Sequence, residues 1–300
     1  MFAFEHNAVG VDDACLQGLT TCFPGAWDEA SYEWYLKRPF QARRPDMITA
    51  RDGARVVGGL GINYRRLRST DGFCDVGVLT AAWTLPKHQG RGCFRRMVEA
   101  AIEIATANGC RALLSFVIAR SASALGLRRI GAAAVPTRYL SLAPGDPVRL
   151  PAHLPTAQPR RAAGLAQRPS CDSRIAFHYA TAEEWTAQFI ARPHRTTMFD
   201  VDSATTVLEH VGTTDRLQFL NAPAGLEAEA LVAMASRAQA EGRNFFSFST
   251  DVDLAERAVA HGLRQAEGAI MVLDLPQADR TPIAASWASA RWHVQPGDRM

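Results

Sequence analysis

Gly90 and Gly92, one residue apart, stand between two patterned segments. Before them residues 76–83 form an apolar run rich in strand formers. After them Phe94, Met97, Val98, Ala101, Ile102 and Ala105 recur at steps of three and four. The spacing predicts a strand, a glycine turn and a helix with one apolar face. Such a turn aims several backbone N–H groups at one point, and the helix dipole adds partial positive charge there. The chemistry is anion binding, and a diphosphate suits it best. The loop is not a P-loop, because no Gly-Lys-Ser/Thr follows, and it does not complete the dinucleotide pattern Gly-x-Gly-x-x-Gly. A plain strand-to-helix turn using glycine for backbone freedom alone is the competing reading.

The string Gln89-Gly90-Arg91-Gly92-Cys93-Phe94 resembles the acyl-CoA loop of the GNAT superfamily of N-acetyltransferases, Gln/Arg-x-x-Gly-x-Gly/Ala. Pro86 sits where that family commonly ends its strand with proline, and Phe94 departs from the final small residue. The resemblance implies acetyl-CoA or another acyl-CoA as co-substrate and a primary amine of a small metabolite as acceptor. It places Leu85 against the pantetheine by its backbone, wraps Gln89, Gly90, Arg91, Gly92, Cys93 and Phe94 around the diphosphate, and sets Arg120 near polar groups of CoA. Where the family has a tyrosine four residues before the closing glycine, this chain has Leu127, so help for the departing thiolate must come from elsewhere; Tyr139 is the distant substitute. Asp75, on the strand leading to the loop, and His88, beside it, are the candidate bases, each with a competing reading as a solvated surface group. For Cys93 a small buried filler competes with a nucleophile, since no His or Asp is spaced to serve it.

These groups need a framework. Residues 12–37 read as two helices broken at Pro24 and Gly25, with Asp12 and Asp13 as cap and an aromatic second helix around Trp34, Tyr35 and Leu36. The segment Tyr32-Glu33-Trp34-Tyr35-Leu36-Lys37-Arg38-Pro39-Phe40 is similar to the substrate-side helices of two-lobed GNAT relatives, which implies an amino sugar, amino acid or related small metabolite as acceptor; a helix packing its aromatics onto a sheet is the competing reading. Asp52-Gly53 and Asp71-Gly72 signal hairpins. After the long helix, Asn108 and Gly109 form a stop, residues 112–117 a buried strand, residues 121–130 a short helix closed by Gly131, and residues 139–142 a strand. This order resembles a whole GNAT domain over residues 1–143, the fold expected being a mixed α/β sheet. Six of the sixteen prolines fall in residues 144–172 without periodicity, which predicts a linker. Residues 173–300 resume with a strand at 174–179, a helix from Thr181 capped by a Thr-Ala-Glu-Glu box, a strand at 217–220, a helix at 227–240, a strand at 244–250, a short helix at 254–261 and a strand at 269–275. That half is similar to a degenerate GNAT-like lobe without the acyl-CoA loop. Trp287 and Trp292 predict a docked tail.

Composition narrows the classes. A net charge of +3 is too small to argue for nucleic acid or an anionic membrane. No apolar run reaches bilayer length. Six cysteines without metal spacing or Cys-x-x-Cys, and no secretory pattern, predict a reduced cytoplasmic protein with no metal site. The oligomeric state is open. The expectation is an N-acetyltransferase; the alternative is a non-catalytic acyl-CoA-binding regulator.

Overall fold

The computed structural model describes residues 2–41, 43–69, 72–149, 157–160, 174–276 and 282–299. In chain order the first half forms β1 (Ala3–His6), α1 (Asp12–Cys22), α2 (Glu29–Leu36), β2 (Asp46–Asp52), β3 (Arg55–Ser69), β4 (Gly72–Thr84), α3 (Cys93–Ala107), β5 (Ala112–Ile118), α4 (Ala122–Arg129) and β6 (Ala133–Leu142). Then follow β7 (Ala157–Arg160), β8 (Ala176–Phe177), α5 (Ala182–Phe189), β9 (Thr196–Val201), β10 (Ala204–Val211) and β11 (Thr214–Asn221). The chain ends with α6 (Glu227–Ala240), β12 (Asn244–Ser249), α7 (Val252–Ala260), β13 (Arg264–Asp274) and α8 (Ala284–Ser289). Among the described residues no helix is long and apolar enough to cross a membrane.

Two compact units result. The first comprises Met1–Val135 with Ala269–Ala290, the second Pro136–Gly268 with Arg291–Arg299. The chain therefore leaves the first unit within β6 and returns to it within β13. Contiguous halves, as read from sequence order, do not describe this partition.

In the first unit the strand order is β1-β2-β3-β4-β5-β13. The Asp52-Gly53 signal makes the β2–β3 hairpin, with Asp52 opposite Arg55 and Gly53 at φ +61°. Both sheet faces are covered. Leu60 and Ile62 look toward α3 and α4, where Met97, Val98 and Ala101 are fully buried. Val56 and Trp83 look toward α1 and α2, packing with Cys15, Leu19, Tyr32 and Leu36. Burying a side chain such as Met97 contributes about 1.5–3 kcal/mol. Trp83 is seated by two glycines: a Cβ at Gly18 would lie 2.2 Å from the indole, and one at Gly59 2.5 Å from its Nε1. The end of β4 is thereby fixed. Helix α1 differs from expectation in its cap. Val11 holds the cap position without a side-chain bond, and Asp12 and Asp13 lie in the first turn, Asp12 accepting from Tyr32 Oη at 2.9 Å. Helix α2 is capped by Asp28, which accepts from the Ser31 N–H at 2.8 Å.

In the second unit the order is β6-β12-β11-β10-β9-β7. Strands β9, β10 and β11 form an antiparallel meander, and α6 carries the chain to β12, parallel to β11. Helices α6 and α7 cover one face through Leu231, Met234, Ala255 and Ala258. Strands β9 and β10 are additions to the elements expected from the sequence. The strand expected at 174–179 shrinks to β8 and a single bridge from Ile175 to Trp292. Within the proline-rich stretch, β7 pairs antiparallel with β9, and Pro159 is tolerated there because β7 is last in the order. Residues 150–156 and 161–173, with Cys171, lie outside the described residues. The cap at Thr181 is present, its Oγ1 accepting from the Glu184 N–H at 3.2 Å, but the return bond from Glu184 goes to the Ala180 N–H. The tail docks: Val294, Gln295, Pro296, Gly297 and Asp298 are buried.

Candidate functional site

The site begins where two parallel strands part. β4 and β5 pair from Val76–Ala112 to Leu79–Ser115. Beyond that β4 runs on to Thr84 and β5 to Ile118 without a shared ladder. The cause lies on the other side of β4. Opposite β3 the register slips, so that Gly59 faces Trp83 but Gly61 faces Thr80, leaving Ala81 and Ala82 against Leu60 alone. Ala81 adopts φ +49°, rare for a residue with a side chain. Such a bulge bends its strand, and here it turns β4 away from β5. Main-chain groups of residues 80–84 that face β5 have lost that ladder.

A short 3-10 turn, Pro86–His88, follows, and then the glycine loop. Gly90 stands at φ +73° and Gly92 at φ +79°, conformations that favour glycine. A Cβ built at either would meet nothing within 4 Å, so these glycines serve the backbone path. Gly92 is the cap of the 15-residue α3 and brings no side-chain capping bond. The first N–H groups of α3 therefore open at an exposed mouth.

Leu85 has both backbone groups engaged: its N–H donates to Val57 O at 2.9 Å and its carbonyl accepts from the His88 N–H at 2.8 Å. Gln89 ties the loop back, its Nε2 donating to Thr84 O at 3.0 Å. Arg91 leans toward the hairpin, with Nη1 3.4 Å from Asp52 Oδ2 and the guanidinium 4.7 Å from the Phe2 ring centre. His88 joins that group, Nδ1 being 3.4 Å from the same carboxylate oxygen. Asp52 thus organises both, although its sequence signal was only that of a turn. Cys93 turns inward beside Gly58, and burial pushes its thiol up from the usual range, so it is core filler whose contribution to the mouth is its N–H. Phe94 does not plug the mouth. Its ring lies on α4 at Gly126, where a Cβ would come within 3.0 Å of it. Arg120 is exposed at the β5–α4 junction. Leu127, standing for the family's tyrosine, is a core residue.

Asp75, though on the same strand, is not brought to the loop. Asp75 precedes Thr84 by nine residues of strand, roughly 30 Å at the usual rise. It is paired there with Arg66 at 2.9 Å and Arg43 at 3.6 Å. Tyr139 belongs to the second unit, where it packs with Phe246 and Phe248. Among the described residues no cluster of His, Cys, Asp and Glu could hold a metal ion.

The corresponding junction of the second unit, between β11 and α6, is built differently. Glu227 turns its carboxylate back onto the Gly225 N–H at 2.8 Å, and Glu229 adds a second acidic residue to the first turn. That helix start is already served by a carboxylate, and another anion would be repelled.

A strand that bends from its neighbour and ends in an uncapped, glycine-lined helix mouth is an α/β arrangement whose free N–H groups favour an anion. Residues 13–131 match the model of the Acetyltransferase (GNAT) family, so this stretch of the chain is similar to the GNAT acetyltransferases. No curated protein sequence matches it. Among solved structures, it is similar to a tandem GNAT protein from the clavulanic acid biosynthesis pathway, at 14% identity and TM-score 0.60 over 93% of this chain and 100% of that one. A GCN5-related N-acetyltransferase from Sphaerobacter thermophilus is also 14% identical, at TM-score 0.56 over 94% and 98%. One from Kribbella flavida is 14% identical, at TM-score 0.56 over 90% and 71%. At such identities the likeness speaks for the fold.

Proposed function

We propose that the protein is an acyl-CoA-dependent N-acyltransferase, with acetyl-CoA the expected donor and a small primary amine, such as an amino sugar or amino acid, the acceptor. The observation that carries this reading is the open mouth of α3 beside the parted end of β4. The residues fit the carrier: two exposed glycines, a free helix start, and a Phe94 ring turned aside. When bound, acetyl-CoA supplies an activated acyl group. The N–H groups of Cys93 and its neighbours would hold the diphosphate, and main-chain donors along residues 80–84 would orient the thioester and polarise its carbonyl. An amine nitrogen would add to that carbonyl and give up one proton to a base, and the carbon–sulfur bond would break to release CoA, whose thiolate takes up a proton to leave as the thiol. Positioning accounts for much of the rate. Of the candidate bases His88 is the one beside the loop, oriented by Asp52. We further infer that the first unit is the complete GNAT lobe and the second a degenerate one, a view supported by the full-length overlap with a tandem relative.

Thiol release from acetyl-CoA against a panel of primary amines tests the assignment. The expected result is amine-dependent thiol release with at least one acceptor class. A second reading, a regulator that binds acyl-CoA without turnover, is favoured by the buried Leu127 where the family has tyrosine. It predicts cofactor binding and no thiol release with any amine.

The Phe94–Gly126 contact yields a second expectation. Gly126→Leu should drive the ring off its seat toward the loop, overpacking that costs about 1–3 kcal/mol. Calorimetric titration should then show acetyl-CoA bound about tenfold more weakly, and Phe94→Ala in the same chain should restore most of it. Unchanged affinity in Gly126→Leu would detach the ring's position from the mouth.

A further inference from the structure

The second unit carries an aromatic enclosure that the acyl-transfer reading does not use. Along β6 and β12, Leu140, Leu142 and Phe245 turn into the core under α6 and α7. Alternation sends Tyr139, Phe246 and Phe248 to the opposite face. Tyr139 stands across from Phe248 in the ladder, and Ser141 across from Phe246. The Tyr139 ring centre is 5.4 Å from that of Phe248 and 5.9 Å from that of Phe246. The Tyr139 ring lies directly on backbone: a Cβ at Gly268 would come within 2.5 Å of its Cε2.

A cation fills this enclosure. The Arg299 guanidinium carbon is 4.8 Å from the Phe246 ring centre, 5.2 Å from Tyr139 and 5.9 Å from Phe248. Three rings converging on one organic cation is the arrangement by which proteins recognise guanidinium and alkylammonium groups. The approach of Arg299 is set by a strap of buried polar contacts upstream. Gly297 O accepts from Gln188 Nε2 at 2.7 Å, Tyr179 donates to Asp298, and Gln295 bonds both backbone groups of Leu220. These strap bonds are made by residues other than Arg299, whose guanidinium lies among the three rings and hydrogen-bonds Tyr139.

We propose that Tyr139, Phe246 and Phe248 form a binding site for a small organic cation, a guanidinium or primary alkylammonium compound, and that Arg299 is its resident intramolecular ligand. Tethering gives Arg299 a high effective concentration, so a free ligand must displace it and the intact protein binds such cations weakly.

Titration calorimetry with agmatine, with 1-pentylamine and with the uncharged 1-pentanol tests it on the full chain. Arg299→Ala is expected to bind agmatine about tenfold more tightly than the unchanged protein, in keeping with the size of a cation–aromatic contact. Pentanol should bind neither. Adding Phe246→Leu, which keeps an apolar side chain but removes the ring, should cancel the gain. Arg299→Met, which retains an apolar stem, should bind agmatine as Arg299→Ala does. Equal agmatine affinity with and without Arg299, a gain untouched by Phe246→Leu, or binding of pentanol as strong as that of the cations would each overturn the proposal. So would unfolding of both Arg299 variants, since Arg299 would then be a structural anchor. The acetyl-CoA response of these variants is read separately: its presence without agmatine binding sinks only the cation site, and the reverse sinks only the acyltransferase assignment.

Discussion

Gly92→Asp is expected to abolish the stabilisation of this protein by acetyl-CoA while leaving it folded. Gly92 sits at φ +79° with open space where a Cβ would go, so the substitution meets strain but no collision. Aspartate is among the residues that tolerate the left-handed region best, and the cost is about 1–2 kcal/mol. Its carboxylate would stand at the start of α3, where the diphosphate is to be held by N–H groups, and would compete for those donors and repel the ligand. A ligand at one hundred times its dissociation constant stabilises the folded state by about 2.7 kcal/mol. The unchanged protein should show a corresponding rise in melting temperature, and the aspartate variant none at the same concentration. Gly92→Asn is the control, equal in size and backbone tolerance but neutral, and should keep a measurable part of the shift. An aspartate variant that responds like the unchanged protein would remove the anion site from this loop.

Arg192→Met should produce the largest loss of stability, confined to the second unit. The Arg192 and Glu209 side chains are 2% and 1% exposed, with Nε 3.2 Å from Oε2. Gln218 Nε2 donates to the same oxygen at 2.6 Å, and Arg192 Nη1 reaches Gln188 O and Gly297 O. Taking away the guanidinium leaves a carboxylate in the interior with one amide for company. Breaking a buried pair in this way costs about 3–5 kcal/mol. Because the chain has two units, a single melting curve is a poor measure. Hydrogen exchange of the β10 and β11 amides reads the right place, and protection there should fall roughly a hundredfold or more. Arg192→Met with Glu209→Leu should recover most of it, since two apolar side chains leave no stranded charge. If the single variant keeps full protection, the pair is dispensable.

The loop was legible because its signals are local: two glycines, a strand before them and a helical period after them. Whether Phe94 spoils it was not, because the answer lies at Gly126, on a different helix. Asp75 looked close to the loop because it shares a strand with it, but an extended strand carries nine residues a long way. The β9–β10 hairpin escaped notice because its turn uses Asp202 at φ +51° where glycine would have announced it. Glu209 within β10 also breaks the apolar alternation, being buried against Arg192. That β13 belongs to the first unit could not be read at all, since no residue of a strand records which neighbour it will find.

That late strand affects how the protein is made. The first unit's sheet has β13 beside β5, so its ladder stays incomplete until residues beyond 269 have left the ribosome. Until then β5 is a nascent edge, open to pairing with other chains. A gene fragment stopped near residue 143 would freeze the molecule in that condition. It should accumulate as inclusion bodies unless a peptide carrying Ala269–Ala290 is coexpressed to supply the missing strand.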